Sequence, residues 1–266
     1  MTIRLLLSDV DGTLVRSDKS LSRRTIDAVH ALHDAGVHFA VTSGRPPRGM
    51  EMLVEPLSLA APLAGFNGGL VVEPGMEVLE EHTVPDAVVL QALEILERFE
   101  LSIWMYRGTD WLVRDPHGPH VEHESRTVEF EPTVVDAFEE TTGVAKLVGV
   151  SDDHDAVAAA AATARAEIGE HVSAWRSQSY YLDITHPQAN KGAVAQFLSR
   201  RYQLSVDEVA TIGDMPNDVL MFKQSSLSIA MGNASDDVQK TAHRVTATND
   251  DDGFAHAVEQ FILGRS

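Results

Sequence analysis

Short apolar runs alternate with amphipathic stretches at both ends of the chain. Near the start, residues 3–7 and 37–41 have the length and composition of strands buried on both faces, and residues 22–35 between them carry apolar side chains at helical spacing. Towards the end, a helical pattern at 191–202 precedes another apolar run at 209–212. This order predicts an α/β fold built on a doubly wound parallel sheet.

The middle of the chain differs in composition, because it contains every tryptophan and a long alanine-rich run. Helices are predicted at 87–99 and 156–168, and strands at 101–106, 111–114, 145–150, 171–175 and 180–184. We therefore expect an α/β core formed by 1–84 and 187–266, interrupted by an inserted mixed α/β cap at 85–186. Three further segments are predicted as a helix at 48–57, a closing helix at 254–263 and a solvated loop containing His117, His120 and His123.

Charge and composition exclude several classes of partner. Forty acidic residues against 21 basic ones give a formal net charge of −19, which argues against nucleic acid or an anionic membrane. There is no cysteine and no apolar run of about 18 residues, so the sequence predicts a cytoplasmic protein without a membrane span. An anionic substrate would be repelled at long range, so a phosphate site must carry its own cations. The oligomeric state is not predicted.

Four polar motifs each follow a buried strand or begin the next helix. In a parallel sheet the carboxyl ends of the strands share one edge, where ligands bind, so motifs far apart in sequence should meet there. The residues concerned are Asp9 with Asp11, Ser43, Lys191, and Asp214 with Asp218.

The chemistry of these side chains suits phosphoryl transfer. Asp9 can attack phosphorus, and Asp11 can protonate the departing alcohol if its pKa is raised. Asp214 and Asp218 add oxygen ligands of the kind that Mg²⁺ prefers. Lys191 supplies a positive charge at a helix N-terminus, where the dipole also favours anions.

The remaining positions of these motifs are suited to binding the phosphoryl oxygens. Ser43 offers a hydroxyl and Gly44 an unobstructed backbone N–H. Gly12 permits a sharp turn that presents backbone N–H groups. Arg45 lies close enough in sequence to contact the substrate or to brace the loop.

These motifs resemble those of the haloacid dehalogenase superfamily, and specifically the Cof-like hydrolases with a large α/β cap between core strands. The resemblance covers the whole length and rests on Asp9-Val10-Asp11-Gly12-Thr13-Leu14, Thr42-Ser43-Gly44-Arg45, Asn190-Lys191-Gly192 and Gly213-Asp214-Met215-Pro216-Asn217-Asp218. Met231-Gly232-Asn233-Ala234 and Asp252-Gly253-Phe254 are similar to later signatures of the family.

The resemblance implies a set of residue roles. It implies Mg²⁺ held by the Asp9 side chain, the Asp11 backbone carbonyl and the Asp214 side chain. It also implies phosphate contacts from Ser43, Gly44, Lys191 and Asn217, with Asp218 supporting Lys191 or the metal. Asn67, in Asn67-Gly68-Gly69, is expected near the substrate, although the family usually has alanine at the third position.

The favoured function is a Mg²⁺-dependent phosphatase that acts on a small phosphorylated metabolite through an aspartyl-phosphate. A phosphomutase of the same superfamily and a non-catalytic protein that binds phosphometabolites are the alternatives, while Asp11 argues against a dehalogenase, which has no alkoxide to protonate. The cap should select the leaving group. The candidates there are Trp104, Tyr106, Trp111, Trp175, Tyr180, Tyr181, Arg107, Arg114, Arg126, Lys146 and Arg176.

Overall fold

The computed structural model describes residues 2–265, and within them eight strands form the core sheet. Its strands are β1 (Leu5–Asp9), β2 (His38–Thr42), β3 (Leu63–Gly65), β4 (Leu70–Val72), β5 (Val78–Glu81), β12 (Val209–Gly213), β13 (Leu227–Ala230) and β14 (Arg244–Val245). They lie in the order β14-β13-β12-β1-β2-β3-β4-β5. All neighbours from β14 to β3 are parallel, whereas β4 and β5 run antiparallel at one edge. The doubly wound α/β fold is confirmed, with an antiparallel edge that the sequence pattern did not indicate.

Short helices connect these strands and cover the sheet. They are α1 (Arg23–Asp34), α2 (Val54–Leu57), α6 (Lys191–Tyr202), α7 (Val219–Phe222), α8 (Asp236–Gln239) and α9 (Gly253–Ala257). Three of them start at side-chain caps: Ser22 accepts a hydrogen bond from the Thr25 N–H, Asn190 from the Ala193 N–H and Ser235 from the Val238 N–H. Such caps satisfy backbone donors that the first helical turn leaves free, so they fix where each helix begins.

The register of the central strands aligns their carboxyl ends. Leu5 lies opposite both Val209 and His38, so β12, β1 and β2 start at the same level. At the other end, Asp9 lies opposite Thr42. The loops that follow these three strands therefore emerge side by side at one edge of the sheet.

A second sheet forms the cap. Within residues 2–265 it has six strands, in the order β10-β11-β9-β6-β7-β8. They are β6 (Ser102–Arg107), β7 (Asp110–Val113), β8 (Thr133–Val134), β9 (Val144–Val150), β10 (Ser173–Gln178) and β11 (Tyr181–Thr185), accompanied by α3 (Asp86–Arg98), α4 (Val121–Val128) and α5 (His154–Glu167). All of these strands lie between 102 and 185, which supports the proposed insertion at 85–186.

The two faces of the cap sheet have different partners. On one face, apolar residues such as Leu147 and Ile184 pack with residues of α3 and α5. On the other face, Trp104 and Val148 belong to the same apolar cluster as Phe66 of the core. The second face is thus directed towards the core sheet, and polar side chains on it can reach the space between the two units.

Three predicted segments differ from the structure. The segment 48–57 is a 3-10 helix from Pro47 to Leu53 followed by the single turn of α2, because consecutive prolines and Gly49 disfavour a regular α-helix. The closing helix changes from α to π geometry at Val258. The loop interpretation was wrong for His123, which lies in α4.

Between residues 2 and 265, no helix has the length and apolar character needed to cross a membrane.

Candidate active site

Three carboxylates converge at the carboxyl edge of the core sheet. Asp9 ends β1, and Asp214 and Asp218 follow β12; one oxygen from each lies within 4.8 Å of the others. All three residues are buried, with at most 8% of their surface exposed. In the described range 2–265, this is the one cluster of three acidic or histidine side chains with the spacing of a metal site.

Gly12 lets the first loop approach the Asp214 carboxylate closely. Its φ is +79°, and a Cβ at this position would lie 2.5 Å from Asp214 Oδ2. The Thr13 hydroxyl donates a hydrogen bond of 3.1 Å to Asp214 Oδ1, and the Asn233 amide donates one of 3.3 Å to Oδ2. The turn therefore requires glycine both for its backbone conformation and for space.

Lys191 provides the positive charge of this cluster. It is 2% exposed, and its Nζ lies 2.6 Å from Asp9 Oδ1 and 2.5 Å from Asp218 Oδ1. Asp218 uses its other oxygen to accept hydrogen bonds of 2.8 Å from the backbone N–H groups of Asp214 and Met215. Although burial lowers the pKa of Lys191, the charges of Asp218 and Asp9 raise it above its ordinary value.

The cluster has more negative than positive groups, and this excess of carboxylates suits a bound cation. Burial, together with the neighbouring charges of Asp218 and Asp214, raises the pKa of Asp9 well above its ordinary value. Burial and the charge of Asp218 raise the pKa of Asp214 to about 6. Three carboxylates share one ammonium group, and oxygen ligands of this kind favour a hard divalent metal ion. The residues present thus fit the metal site that the sequence predicts.

Asp11 lies outside this cluster and pairs with two cations instead. Arg45 donates two hydrogen bonds of 2.7 Å to its carboxylate, and Lys19 donates one of 2.6 Å. Although burial raises the pKa of Asp11, these two partners lower it to about 2. The Asp11 side chain is therefore ionised in this conformation. Lys19 was not among the predicted site residues; its only sequence signal is its position in the same loop.

Arg45 also connects the core to the cap. Its guanidinium donates hydrogen bonds of 3.1 Å to the backbone carbonyls of Gly49 and of Thr127, which lies in α4. It is 5% exposed. In this conformation Arg45 braces the loop and Asp11, and it also lines the cavity, so the geometry is compatible with both roles considered from the sequence.

The predicted phosphate-binding residues surround the same cavity. Ser43, Gly44, Asn67, Lys191 and Asn217 all line it, together with Asp9 and Asp11. The Asn217 amide donates a hydrogen bond of 3.0 Å to Asn67 Oδ1, so the loops after β3 and β12 meet directly. The Ser43 hydroxyl accepts a hydrogen bond of 3.2 Å from the Arg45 N–H. The structure thus brings together all the residues that the four motifs predicted.

The cavity has a volume of about 280 Å³ and is lined on one side by cap residues. This is close to the lower end of the range for small-molecule sites, which indicates a small ligand. Among the cap candidates, Lys146, Tyr180 and Tyr181 line the cavity. Glu124 and Asp183 also line it, and sequence analysis missed both. The one available signal was that Asp183 lies two residues from Tyr181 on a strand, and so on the same face.

The other cap candidates do not line the cavity. Trp104, Tyr106 and Trp111 are at most 2% exposed and pack in the interior. Trp175 is 63% exposed on strand β10 at the edge of the cap sheet. The four arginines considered there also lie away from the cavity lining, and they are Arg107, Arg114, Arg126 and Arg176.

The acidic loops and the buried lysine meet at one edge of the core sheet, beneath the cap, and this arrangement is suited to phosphoryl transfer. A family model for haloacid dehalogenase-like hydrolases matches residues 6–258. The chain belongs to this family.

Curated relatives and solved structures match over nearly the full length. The chain is 27% identical to 5-amino-6-(5-phospho-D-ribitylamino)uracil phosphatase YitU of Bacillus subtilis, covering 97% of each chain. It is 26% identical to pyridoxal phosphate phosphatase YbhA of Escherichia coli, covering 99% of this chain and 100% of the relative. A crystal structure of a haloacid dehalogenase-like hydrolase from Bacteroides thetaiotaomicron superposes with a TM-score of 0.90 at 28% identity, covering 97% of this chain and 99% of that one.

Proposed function

We propose that this protein is a Mg²⁺-dependent phosphatase that hydrolyses small phosphate monoesters through an aspartyl-phosphate on Asp9. The observation that carries the proposal is the position of Asp9. It lies at the cavity surface, hydrogen-bonded to Lys191 and within metal-ligand spacing of Asp214. Asp11, two residues further on, faces the same cavity and supplies a second carboxylate for proton transfer.

The proposed metal ligands are the Asp9 side chain, the Asp11 backbone carbonyl and the Asp214 side chain. When bound, Mg²⁺ would offset the repulsion between the carboxylates and a phosphate dianion and would stabilise charge on the phosphoryl oxygens. The excess of carboxylates over ammonium groups in this cluster supports the assignment. Asp218 is held by Lys191 and by two backbone N–H groups, so we assign it the role of positioning Lys191.

The reaction requires two displacements at phosphorus. In the first, an Asp9 oxygen forms a bond to phosphorus while the ester P–O bond breaks, and Asp11 protonates the leaving alkoxide. Lys191 stabilises the charge on the phosphoryl oxygens, with Ser43 and the Gly44 N–H as further donors. In the second, Asp11 takes a proton from water as the water oxygen attacks phosphorus and releases phosphate and Asp9.

The ionised state of Asp11 is the form that the second displacement requires. Its pKa of about 2 keeps it ionised at neutral pH, but Arg45 and Lys19 also make it a weak base while they pair with it. For the first displacement it must gain a proton, which requires weaker pairing with Arg45 and Lys19. Both cations line the cavity, so a phosphate dianion that enters competes with Asp11 for them and raises its pKa.

The relatives support the hydrolysis of phosphate monoesters without fixing the leaving group. YitU and YbhA are named as phosphatases of a ribityl phosphate compound and of pyridoxal phosphate. At 26–27% identity, their substrates do not transfer to this chain by similarity alone. A small phosphorylated metabolite is the expected partner, and the cytoplasmic location remains a prediction from the sequence.

The decisive experiment measures phosphate release from a panel of phosphate monoesters with Mg²⁺ and, in parallel, with EDTA. We expect hydrolysis with Mg²⁺ and its loss with EDTA. In the same assay, a mutase would convert a sugar phosphate into its isomer without releasing stoichiometric phosphate. Tight binding of phosphate esters without turnover would instead identify a binding protein, and either result would reject the proposal.

Mg²⁺ should stabilise the protein more at pH 7.5 than at pH 5. In the folded metal-free protein the pKa of Asp214 rises from 3.8 to about 6, so the folded state holds an extra proton between these values. Ionisation of Asp214 therefore lowers the free energy of unfolding as pH rises through this window, and Mg²⁺ recovers that loss. At a concentration 100 times its Kd, Mg²⁺ should add about 2.7 kcal/mol, or roughly 5–10 °C in Tm, at pH 7.5.

Thermal denaturation with Mg²⁺ or EDTA at both pH values provides the measurement. Asp214→Asn is the matched variant, since it removes one proposed ligand charge. Its Mg²⁺-induced shift should be small at both pH values. An equal shift at pH 5 and pH 7.5 in the wild-type protein would contradict the prediction.

A further inference from the structure

Between residues 2 and 265 the chain passes between the core and the cap twice, through two short linkers. Residues 82–85 join β5 of the core to α3 of the cap, and residues 186–190 join β11 of the cap to α6 of the core. His82 still belongs to the core, since its backbone N–H donates a hydrogen bond of 2.8 Å to the Gly69 carbonyl. Val84 already packs in the apolar cluster of the cap. A movement of the cap relative to the core must therefore be accommodated in these two linkers.

One histidine from each linker stacks against the other. The ring centroids of His82 and His186 are 5.6 Å apart, and the ring planes differ by only 16°. Both residues are half-buried. On its other side, His82 Nε2 lies 3.2 Å from Glu80 Oε1. The histidine pair thus connects the two linkers at the point where the core ends and the cap begins.

The His186 ring also fixes the turn of its own linker. Its Nδ1 accepts a hydrogen bond of 3.1 Å from the backbone N–H of Gln188. A ring nitrogen accepts only while it carries no proton, so this hydrogen bond requires neutral imidazole with its proton on Nε2. Two residues further on, Asn190 caps α6, whose first residue is Lys191. The turn therefore sets how the chain enters the helix that carries the lysine of the active site.

A proton on His186 would not be compensated by a nearby carboxylate. Burial lowers the pKa of His186, and the neighbouring His82 lowers it further. In the described part of the chain no carboxylate forms an ion pair with His186, and Glu80 is shared between His82 and Arg200, which lies 4.0 Å from it. Lys223 lines the same surface cavity as these three residues and adds positive charge. The charged surroundings of the histidine pair therefore favour the neutral form of His186.

The arrangement with neutral His186 occurs together with a cap that rests on the core. Phe66 of the core packs against Tyr106 of β6, with ring centroids 5.1 Å apart. Arg45 donates a hydrogen bond of 3.1 Å to the Thr127 carbonyl of α4. A cap in this position restricts the exchange of ligands, and such sites open and close during their working cycle. The linkers are where a signal can bias that equilibrium.

We propose that His82 and His186 form a pH-sensitive hinge, which favours the closed cap while His186 is neutral and the open cap once His186 is protonated. Protonation removes the acceptor of the Gln188 N–H and places a positive charge against the His82 ring. Both effects disfavour the stacked linkers. The inference concerns the position of the cap and does not depend on the proposed phosphatase activity.

The direction of the pH dependence follows from the lowered pKa of His186 in the closed form. An unperturbed histidine has a pKa of about 6.5, which is the value expected once the linkers separate. The open form then binds the proton more readily than the closed form. As pH falls below about 6.5, the closed form therefore loses stability relative to the open form, and the loss is complete below the lowered pKa.

Two introduced cysteines can report on the position of the cap, because the chain has no cysteine of its own. Arg176→Cys places one on an exposed part of β10 in the cap, and Asp237→Cys places the other on α8 of the core. Spin labels at both sites give a distance distribution by pulsed electron paramagnetic resonance, measured with EDTA and without substrate. From pH 7.5 to pH 5.5, we expect the population at a second, longer distance to rise about 3–10-fold.

His186→Asn in this labelled parent is the main variant. Asparagine does not titrate, yet its side-chain oxygen can accept from the N–H two residues further on, as His186 Nδ1 does. Its distance distribution should be the same at both pH values. Asp214, with a pKa of about 6, titrates in the same window and is retained in this variant. An equal pH response in the parent and in His186→Asn would assign the movement to other groups and overturn the inference.

His82→Gln provides a second, independent variant if His186→Asn folds poorly. It keeps a side-chain donor for Glu80 but removes the ring that stacks on His186, so the pH response should shrink about 2–3-fold. An unchanged response would reject the paired hinge. His171→Asn, at an exposed histidine outside both linkers, is the matched control and should respond like the parent. If the parent shows no pH-dependent distance, the inference fails while the proposed function stands.

Discussion

Asp9→Asn should reduce kcat by at least ~10⁴-fold for every phosphate monoester that the wild-type protein hydrolyses. The amide has the size of the carboxylate but cannot form the aspartyl-phosphate. Asp9 is also the carboxylate at the cavity surface that Lys191 contacts directly. The loss should be similar for good and poor leaving groups, because the nucleophile is needed for both.

The fold of Asp9→Asn should remain intact, and this distinguishes a chemical from a structural effect. Burial raises the pKa of Asp9, so the wild-type protein spends free energy to keep this carboxylate ionised. Replacing it with a neutral amide removes that cost, and Lys191 keeps Asp218 as a partner. We expect Tm with EDTA to be unchanged or higher. Asp237→Asn, at a side chain that is 95% exposed, is the matched control. Steady-state turnover within tenfold of wild type would exclude covalent catalysis by Asp9.

The core site could be predicted from sequence because its geometry follows from the parallel sheet. Asp9 and Asp214 are separated by about 200 positions, yet each follows an apolar strand, and β1 and β12 are neighbours. In such a sheet, the order of the strands brings the loops together without any information about individual side chains. The sequence also predicted a sharp turn at Gly12, and its φ of +79° agrees with this, whereas its close approach to Asp214 was found only in the structure.

The state of Asp11 could not be predicted in the same way. Its pKa depends on Arg45 and Lys19, and each contact is set by side-chain conformations within loops. The sequence suggested a proton donor with a raised pKa, whereas the structure shows a carboxylate with a lowered one. The proposed role of Asp11 as a proton donor therefore depends on how a bound phosphate would redistribute these cations.

The cap residues that line the cavity were difficult to predict for a different reason. Aromatic residues attracted attention in the sequence, but Trp104 and Trp111 serve the packing between cap and core. Glu124 lies in α4, a short helix that the apolar pattern did not reveal. The cap sheet is largely antiparallel, so the carboxyl ends of its strands do not share one edge. Which of its polar residues face the cavity can be predicted only when the orientation of each strand is known.

Because the chain carries a net charge of −19, an anionic substrate depends on the cations that line the cavity. Among the residues that the structure describes, Lys19, Arg45, Lys146 and Lys191 line the cavity, and each is paired with a carboxylate. We expect a substrate phosphate to enter by replacing carboxylates as the partner of Lys19, Arg45 and Lys191. This exchange links substrate binding to the protonation of the same carboxylates that perform the reaction.

Lys191→Met should be the most destabilising single change in the core site. It leaves Asp9 and Asp218 buried without their ammonium partner, next to Asp214. Loss of one partner from a buried ion pair costs about 3–5 kcal/mol, which we expect in the free energy of unfolding at pH 7.5 with EDTA. Phosphate ester hydrolysis should fall by at least ~10²–10³-fold, since a donor to the phosphoryl oxygens is lost.

The pH dependence of the free energy of unfolding of Lys191→Met identifies the cause of its lower stability. Without the ammonium group the carboxylates have raised pKa values, so they bind protons in the folded state and the destabilisation shrinks as pH falls from 7.5 to 5. Urea denaturation at both pH values measures the difference. Lys240→Met, at a side chain that is 73% exposed, should change the free energy of unfolding by less than ~0.5 kcal/mol.

A second substitution separates electrostatic from packing effects. Adding Asp218→Asn to Lys191→Met removes one of the unpaired charges, while the amide oxygen can still accept from the N–H groups of Asp214 and Met215. The double variant should therefore be more stable than Lys191→Met alone at pH 7.5. If it is less stable by the sum of the two single effects, the lysine acts through packing rather than charge. The assignment of Asp218 as the residue that positions Lys191 would then be wrong.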